Sequence, residues 1–394
     1  MQRREFIKKA SIAAAGMPLA GACATTYPKT NGPLNVGVIG TGSRGGGLIP
    51  LLNEIEEVAV VACCDVLPFQ LEKGLRQTTT KVKAYTDYRR LLDNQAIDAV
   101  VIATPFSTHA QIALDALEAG KHVYCEKTMA KGLTATKKLV QKATGAKTIF
   151  QTGHQYHSSR LYTHVVDLIK RGQIGRIAAI DCQWNRNGNW RRTVTDPAHE
   201  KALNWRMYRE SSGGLLAELC SHQLDFANWV LDAVPLRVVG EGGVDFWQDG
   251  RETYDNIHLI YTYPDGVRAK FTCLTTNSKD DYLIKVLGDK GTITITYDKA
   301  WLYPEKKSEY REIGNVDGVS GATVKWEATK GIPIEVAHRD PTKQALLDFR
   351  DSIVRGTPPK SDVISGAKAA ICVQMGLEAL YEGRVVRWKE GLLS

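Results

Sequence analysis

With 394 residues, the chain is too long for one ordinary core and suits two domains. Its 43% hydrophobic and 24% charged content is that of a globular protein and excludes a disordered or low-complexity chain. The formal charge is +8, of which Arg3, Arg4, Lys8 and Lys9 against Glu5 supply +3; no basic run follows, which argues against nucleic-acid binding.

The N-terminus reads as a targeting segment. Arg3-Arg4-Glu5-Phe6-Ile7-Lys8-Lys9, followed by the small-residue run Ala10 to Ala22, has the pattern of a twin-arginine export signal. The run is too short and too rich in Ala and Gly for a spanning helix. Ala20-Gly21-Ala22-Cys23 fits two kinds of processing: a lipoprotein site with a lipid anchor on Cys23, and ordinary cleavage after small residues. The expectation is a periplasmic protein, free or membrane-tethered. Cysteines at 23, 63, 64, 125, 182, 220, 273 and 372 form no Cys-x-x-Cys pair and read as buried thiols rather than a zinc or disulfide framework. Residues 1–33 are therefore signal and linker.

Organisation begins at Leu34. Leu34 to Ile39 is an apolar run stopped by glycines, and 48–57 has a helical pattern. Val58 to Cys64 is a second apolar run, ending at Asp65; 99–103, 122–125 and 148–151 are others, and 110–119 is a helix closed by Gly120. Unbroken apolar strands alternating with helices imply a parallel sheet covered on both faces, placing a Rossmann dinucleotide-binding domain at 34–152. The rhythm then changes. Strand-like runs at 177–184, 237–240, 257–263, 267–275, 282–287 and 292–297 predict a second, α+β domain at 153–394 with a large, mostly antiparallel open sheet. Helices are expected at 161–171, 214–231, 341–355 and 365–382.

Gly40-Thr41-Gly42-Ser43-Arg44-Gly45 is a G-x-G-x-x-G between the first strand and a helix. Gly40 permits the tight turn, Gly42 the approach of a pyrophosphate and Gly45 close helix packing, with the helix N-terminus facing the phosphates. Arg44 either reaches a phosphate or is solvated. Asp65 ends the second strand, where a carboxylate accepts ribose hydroxyls and repels a 2′-phosphate, favouring NAD(H) over NADP(H). Thr104-Pro105 follows the next long strand at the same edge, and His109 opens the following helix there as a packing and capping residue on the cofactor side.

Two segments carry the expected chemistry. Lys127 follows the strand His122 to Cys125, where an ammonium can stabilise developing alkoxide charge; Glu126 either fixes Lys127 or holds the cofactor. In 213–225, Glu218, His222 and Asp225 fall on one helix face, so that a carboxylate would orient the imidazole and raise its pKa for proton exchange. The same spacing could hold a metal, but no partner motif is apparent and none is expected.

These residues resemble the glucose–fructose oxidoreductase, inositol dehydrogenase and MocA family. The likeness runs from Leu34 to Ile180, through GTGSRG, Ala103 to His109, ALEAGKHVYCEK (Ala116 to Lys127) and Gly172-Gln173-Ile174-Gly175, and again over 213–225. It implies NAD(P) binding, a C-terminal sheet used in homo-oligomer formation, Lys127 as the family lysine and His222 as the general acid/base. Two departures stand out: Glu126-Lys127-Thr128 replaces Glu-Lys-Pro, and Glu218 replaces an aspartate.

Residues 183–210 mix flat aromatics with hydrogen-bond donors, a composition suited to sugars: Trp184, Arg186, Trp190, Arg191 and Trp205, joined by His154 and Tyr156 and by Asp225 from the helix. The leading expectation is reversible dehydrogenation of a saccharide or polyol secondary alcohol. The alternatives are a redox-neutral NAD-dependent glycosidase and a non-catalytic cofactor- or sugar-binding protein.

Overall fold

The structure is a computed structural model that describes residues 32–305 and 331–393. The export signal, its processing site and Cys23 lie outside the described residues. The apolar runs form β1 (Leu34–Ile39) and β2 (Val58–Cys64), paired in parallel with Val36 opposite Val60. With β3 (Lys83–Tyr85), β4 (Ala99–Ile102), β5 (His122–Cys125) and β6 (Phe150–Thr152) they make a parallel sheet of order β3-β2-β1-β4-β5-β6. The connecting helices are α1 (Ser43–Asn53), α2 (Pro68–Leu75), α3 (Tyr88–Leu92), α4 (His109–Glu118) and α5 (Leu133–Thr144). Strand order reverses between β1 and β4, which opens a crevice at the strands' carboxyl ends.

Helix α1 starts earlier than the apolar pattern predicts. The glycine-rich stretch is itself the first turn, with Gly42 as N-cap and Gly45 so close to the loop that a Cβ would stand 1.8 Å from the Gly40 carbonyl oxygen. The short edge strand β3 has a largely exposed, polar sequence and gives no apolar signal.

The second sheet has the order β14-β13-β12-β11-β7-β10-β9-β8-β15. Its strands are β7 (Ile177–Trp184), β8 (Arg237–Gly243), β9 (Asn256–Thr262), β10 (Arg268–Leu274), β11 (Tyr282–Gly288), β12 (Gly291–Thr296), β13 (Lys299–Pro304), β14 (Ile332–Ile334) and β15 (Val386–Arg387). Every neighbouring pair is antiparallel except β7/β10. One face packs on α6 (Arg160–Lys170) and α7 (Ser221–Leu231) through Val165, Ile169, Leu224 and Phe226. The other face is open, as the alternating burial of β9 shows.

Two helices from the end of the chain tie the halves together. In α8 (Pro341–Arg355), Ala345, Leu346 and Phe349 pack under the first sheet beside Leu34, Val36 and Tyr124; the Tyr124 and Phe349 rings meet edge to face at 5.7 Å. The dinucleotide unit read at 34–152 is therefore covered by a helix that sequence position assigns to the second half. Helix α9 (Val363–Glu382) gives Val363, Ala367 and Ala370 to the first core and Ile371, Cys372 and Val373 to the second. Its apolar composition would suit a membrane span by length alone, and burial between the two cores accounts for it.

Candidate active site

The crevice between the halves is a cleft of about 770 Å³. Its floor is the loop after β1. Gly40 has a φ of +86°, and a Cβ there would meet the Ala103 carbonyl at 2.7 Å, so the turn requires glycine. A Cβ on Gly42 would meet nothing within 4 Å; this glycine leaves open space above the α1 N-terminus, which has no side-chain cap. That cradle fits a pyrophosphate received on free N–H groups. Asp65 Oδ2 accepts from the Thr41 N–H at 2.8 Å and Oδ1 from the Leu67 N–H at 2.9 Å, which hold the carboxylate at the cleft rim where a ribose would lie. Thr41 is fully buried; its hydroxyl donates to the Gln70 carbonyl, so it braces the loop from below. Gly42, Ser43, Arg44, Thr104, Pro105 and His109 all line the cleft.

Arg44 lines the cleft half-buried, and its Nε donates to Glu126 Oε1 at 2.7 Å. Glu126 is thus held by Arg44 and not by Lys127. His109 is buried with Nδ1 2.9 Å from the Thr128 carbonyl oxygen and Nε2 2.9 Å from that of Thr104. Burial pushes its pKa down, so a neutral ring donates to one of the two carbonyls and ties β4's end to the segment after Lys127.

Lys127 and His222 line the same cleft, one from the end of β5 and the other from α7. Lys127 Nζ donates to the Glu218 carbonyl oxygen at 2.8 Å. Burial lowers the lysine's pKa, with Glu218 and Glu126 opposing. His222 is 5% exposed, and its Nδ1 has no hydrogen-bond partner. Burial, then the charges of Lys127, His154 and Arg44, hold its pKa well below the ordinary histidine value. The resulting neutral imidazole beside an ammonium can accept a proton from a hydroxyl while the lysine stabilises the oxygen.

The expected Glu218–His222 pairing is corrected. A π-helical turn, Leu216–Cys220, precedes α7 and rotates Glu218 away from the histidine's row. Glu218 instead accepts from Arg206 Nε at 2.7 Å. Burial alone would raise its pKa, but Arg206 and Lys127 outweigh burial and keep it ionised. Asp225 is also corrected: it is 2% exposed, off the cleft, and 2.9 Å from His157 Nε2.

Trp184, Arg186 and Trp205 line the cleft, as do Arg192 and Arg206. The other expected substrate residues do not. Tyr156 stacks on Tyr162 at 4.1 Å and lies against the His222 ring at 5.0 Å, while His154 hydrogen-bonds Thr152 and meets the His222 ring edge on at 5.8 Å. Both support the histidine from behind. Arg191 pairs with Glu200 and Asp249, and Trp190 packs against the second core; both brace the loop that carries their neighbours. Arg192 Nη2 reaches back to Ser43 Oγ at 2.9 Å, so the second half closes over the α1 N-terminus. Val66, Leu67 and Phe106 also line the cleft; only their places after Asp65 and Pro105 mark them in the sequence. Among the described residues, no group of three or more His, Cys, Asp or Glu is placed to hold a metal.

A glycine-rich loop, a carboxylate held at its rim and a lysine–histidine pair on one cleft are the parts of a Rossmann-fold oxidoreductase. The model of the NAD-binding Rossmann oxidoreductase family matches residues 34–154 and the GFO/IDH/MocA C-terminal domain model matches 162–294. The chain belongs to the Gfo/Idh/MocA oxidoreductase family. It is 27% identical over 214 residues to a myo-inositol 2-dehydrogenase of Thermotoga maritima, covering 54% of this chain and 59% of that protein. It is 27% identical over 233 residues to a glycosyl hydrolase family 109 protein of Shewanella pealeana, covering 53% and 50%. These matches thus span only about half to three-fifths of those two relatives. An aldose-aldose oxidoreductase of Caulobacter crescentus, crystallised with glycerol, superposes with a TM-score of 0.72 at 20% identity over 90% of this chain and all of that one, a likeness of fold.

Proposed function

We propose that the protein interconverts a secondary alcohol on a saccharide or polyol and the corresponding ketone, using NAD(H) in preference to NADP(H). The observation that carries this reading is that the open glycine cradle, Lys127 and His222 line one cleft beside Trp184 and Trp205. Bound dinucleotide supplies the hydride acceptor. His222, held neutral, takes the hydroxyl proton, and Lys127 stabilises the oxygen as it loses hydrogen. Trp184 and Trp205 line the cleft with a guanidinium over each ring, Arg186 at 5.6 Å and Arg206 at 4.3 Å, so aromatic carbon and hydrogen-bond donors would meet a sugar together. Asp65 at the ribose rim supports the NAD(H) preference, because a 2′-phosphate there would meet a carboxylate.

The test is to load the protein with NAD⁺ and scan neutral and acidic sugars, polyols and glycosides. Growth of the reduced-nicotinamide absorbance with at least one supports the proposal; silence across the panel with bound dinucleotide contradicts it.

A second reading, a redox-neutral glycosidase that oxidises the sugar transiently and eliminates the aglycone, is favoured by the likeness to the family 109 glycosyl hydrolase. Release of free sugar without net cofactor turnover would select it. Export by the twin-arginine route, with or without a lipid on Cys23, is proposed with either reading. So is a homo-oligomer through the open sheet face, supported by the exposed, paired Val239 and Ile260.

A further inference from the structure

The charges lining the cleft do not balance. Of the three lining carboxylates, Asp65 stands at the ribose rim, while Glu126 and Glu218 are each matched by an arginine at 2.7 Å, Arg44 and Arg206. Lys127, Arg186 and Arg192 also line the cleft, and none has an Asp or Glu within ion-pair distance among the described residues. Arg192 lies on Ser43 at the α1 N-terminus, where it would meet the cofactor's pyrophosphate. Lys127 belongs to the reacting hydroxyl. Arg186 is left over.

Its position suits a distinct task. Arg186 stands two residues beyond the end of β7, and its own N–H is fixed to the Leu274 carbonyl at 2.7 Å. The guanidinium carbon lies 5.6 Å from the centre of the Trp184 ring, and that ring is 6.0 Å from His222. Arg186 Nε is buried and has no acceptor. An unpaired guanidinium donor removed from water is costly, and a ligand carrying an anion removes that cost. A sugar lying along the cleft past Trp184 would span the interval between Arg186 and His222.

We propose that the saccharide substrate is anionic, bearing a carboxylate or a phosphate, and that Arg186 receives that group through its forked N–H donors. The proposal rests on the saccharide oxidoreductase reading above and narrows its substrate class. Arg186 then sets specificity: it anchors the charged end while the hydroxyl to be oxidised faces His222.

The test is calorimetric titration of the dinucleotide-loaded protein with matched sets in the gluco, galacto and manno configurations. Each set contains the neutral hexose, its uronate and its 6-phosphate. In the configuration that binds, an anionic member should bind roughly 10–100-fold more tightly than the neutral one, less so at high salt. Which anion gains most separates carboxylate from phosphate. Arg186→Gln should bring the ratio close to one, and Arg186→Lys should retain part of it, with unfolding curves confirming that both variants fold. A neutral hexose binding as tightly as its anions, or a ratio unmoved by Arg186→Gln, overturns the proposal and leaves the oxidoreductase reading standing. Failure of every member of all three sets overturns this proposal, and the wider panel above then decides the oxidoreductase reading on its own.

Discussion

The floor and the far wall of the cleft are built in opposite ways. The floor is backbone: a turn that only glycine can make at Gly40, an uncapped helix start and an open space over Gly42. The wall is side chains, drawn from β7's end, the loop behind it and α7, and each is positioned by a partner on another segment of the chain. Arg206 holds Glu218, Arg191 is held by Glu200 and Asp249, and Tyr156 and His154 back His222. A backbone floor receives the part of the ligand common to all dinucleotides, whereas a side-chain wall can be retuned for each substrate. Changes on the two sides should therefore have separable consequences.

The largest effects belong to the chemistry. Lys127→Ala and His222→Ala should each lower turnover by about 10²–10⁴-fold while bound dinucleotide is retained, measured by single-turnover absorbance and by cofactor content. Equal loss of cofactor would break the division between floor and wall. Phe349→Ala should cost about 3–5 kcal/mol in urea unfolding, because the ring fills the core beneath the dinucleotide sheet. A cost near zero would mean that α8 is not part of that unit.

Arg192→Ala should weaken dinucleotide binding by roughly tenfold, the scale of one charge-assisted hydrogen bond, as read by equilibrium titration. It is the one wall residue predicted to act on the floor. The smallest effect is in the pH profile. His222 has a lowered pKa, so its proton-accepting form persists through the ordinary histidine range and is lost only as pH falls through the lowered value. The acidic limb of alcohol oxidation should therefore lie below about 6.5, the free histidine value. Lys127 is also lowered, so the alkaline limb, where its ammonium is lost, should fall below the ordinary lysine range. An acidic limb at the free histidine value would mean that His222 is not the proton acceptor.

The same contrast explains what was legible in the sequence. The floor could be read because local backbone requirements leave local marks: glycines at fixed spacing, an apolar strand and a terminal aspartate. Both sheets were readable in outline for the same reason, since β1, β2, β5 and β7 are continuous or alternating apolar runs. Partnerships on the wall were not readable. The spacing of Glu218, His222 and Asp225 fits one face of a regular α-helix, but the π turn at Leu216–Cys220 turns Glu218 toward Arg206, and Asp225, in regular α7, is taken by His157. Nor does any local pattern reveal that Ala345 and Phe349 return to cover the first sheet. Aromatic and basic residues at 184–206 share one composition, yet Trp184 and Arg186 face the cleft while Trp190 and Arg191 brace the loop.

In the proposed reaction a nicotinamide ring and the substrate hydroxyl meet between Lys127 and His222. The most direct measurement transfers deuterium: the loaded protein is given a substrate labelled at the carbinol carbon, and the dinucleotide is recovered and analysed by mass spectrometry. One deuterium is expected on the nicotinamide of the wild-type protein and almost none in His222→Ala over the same interval. Product formed without label on the dinucleotide, or equal labelling in both proteins, would contradict it.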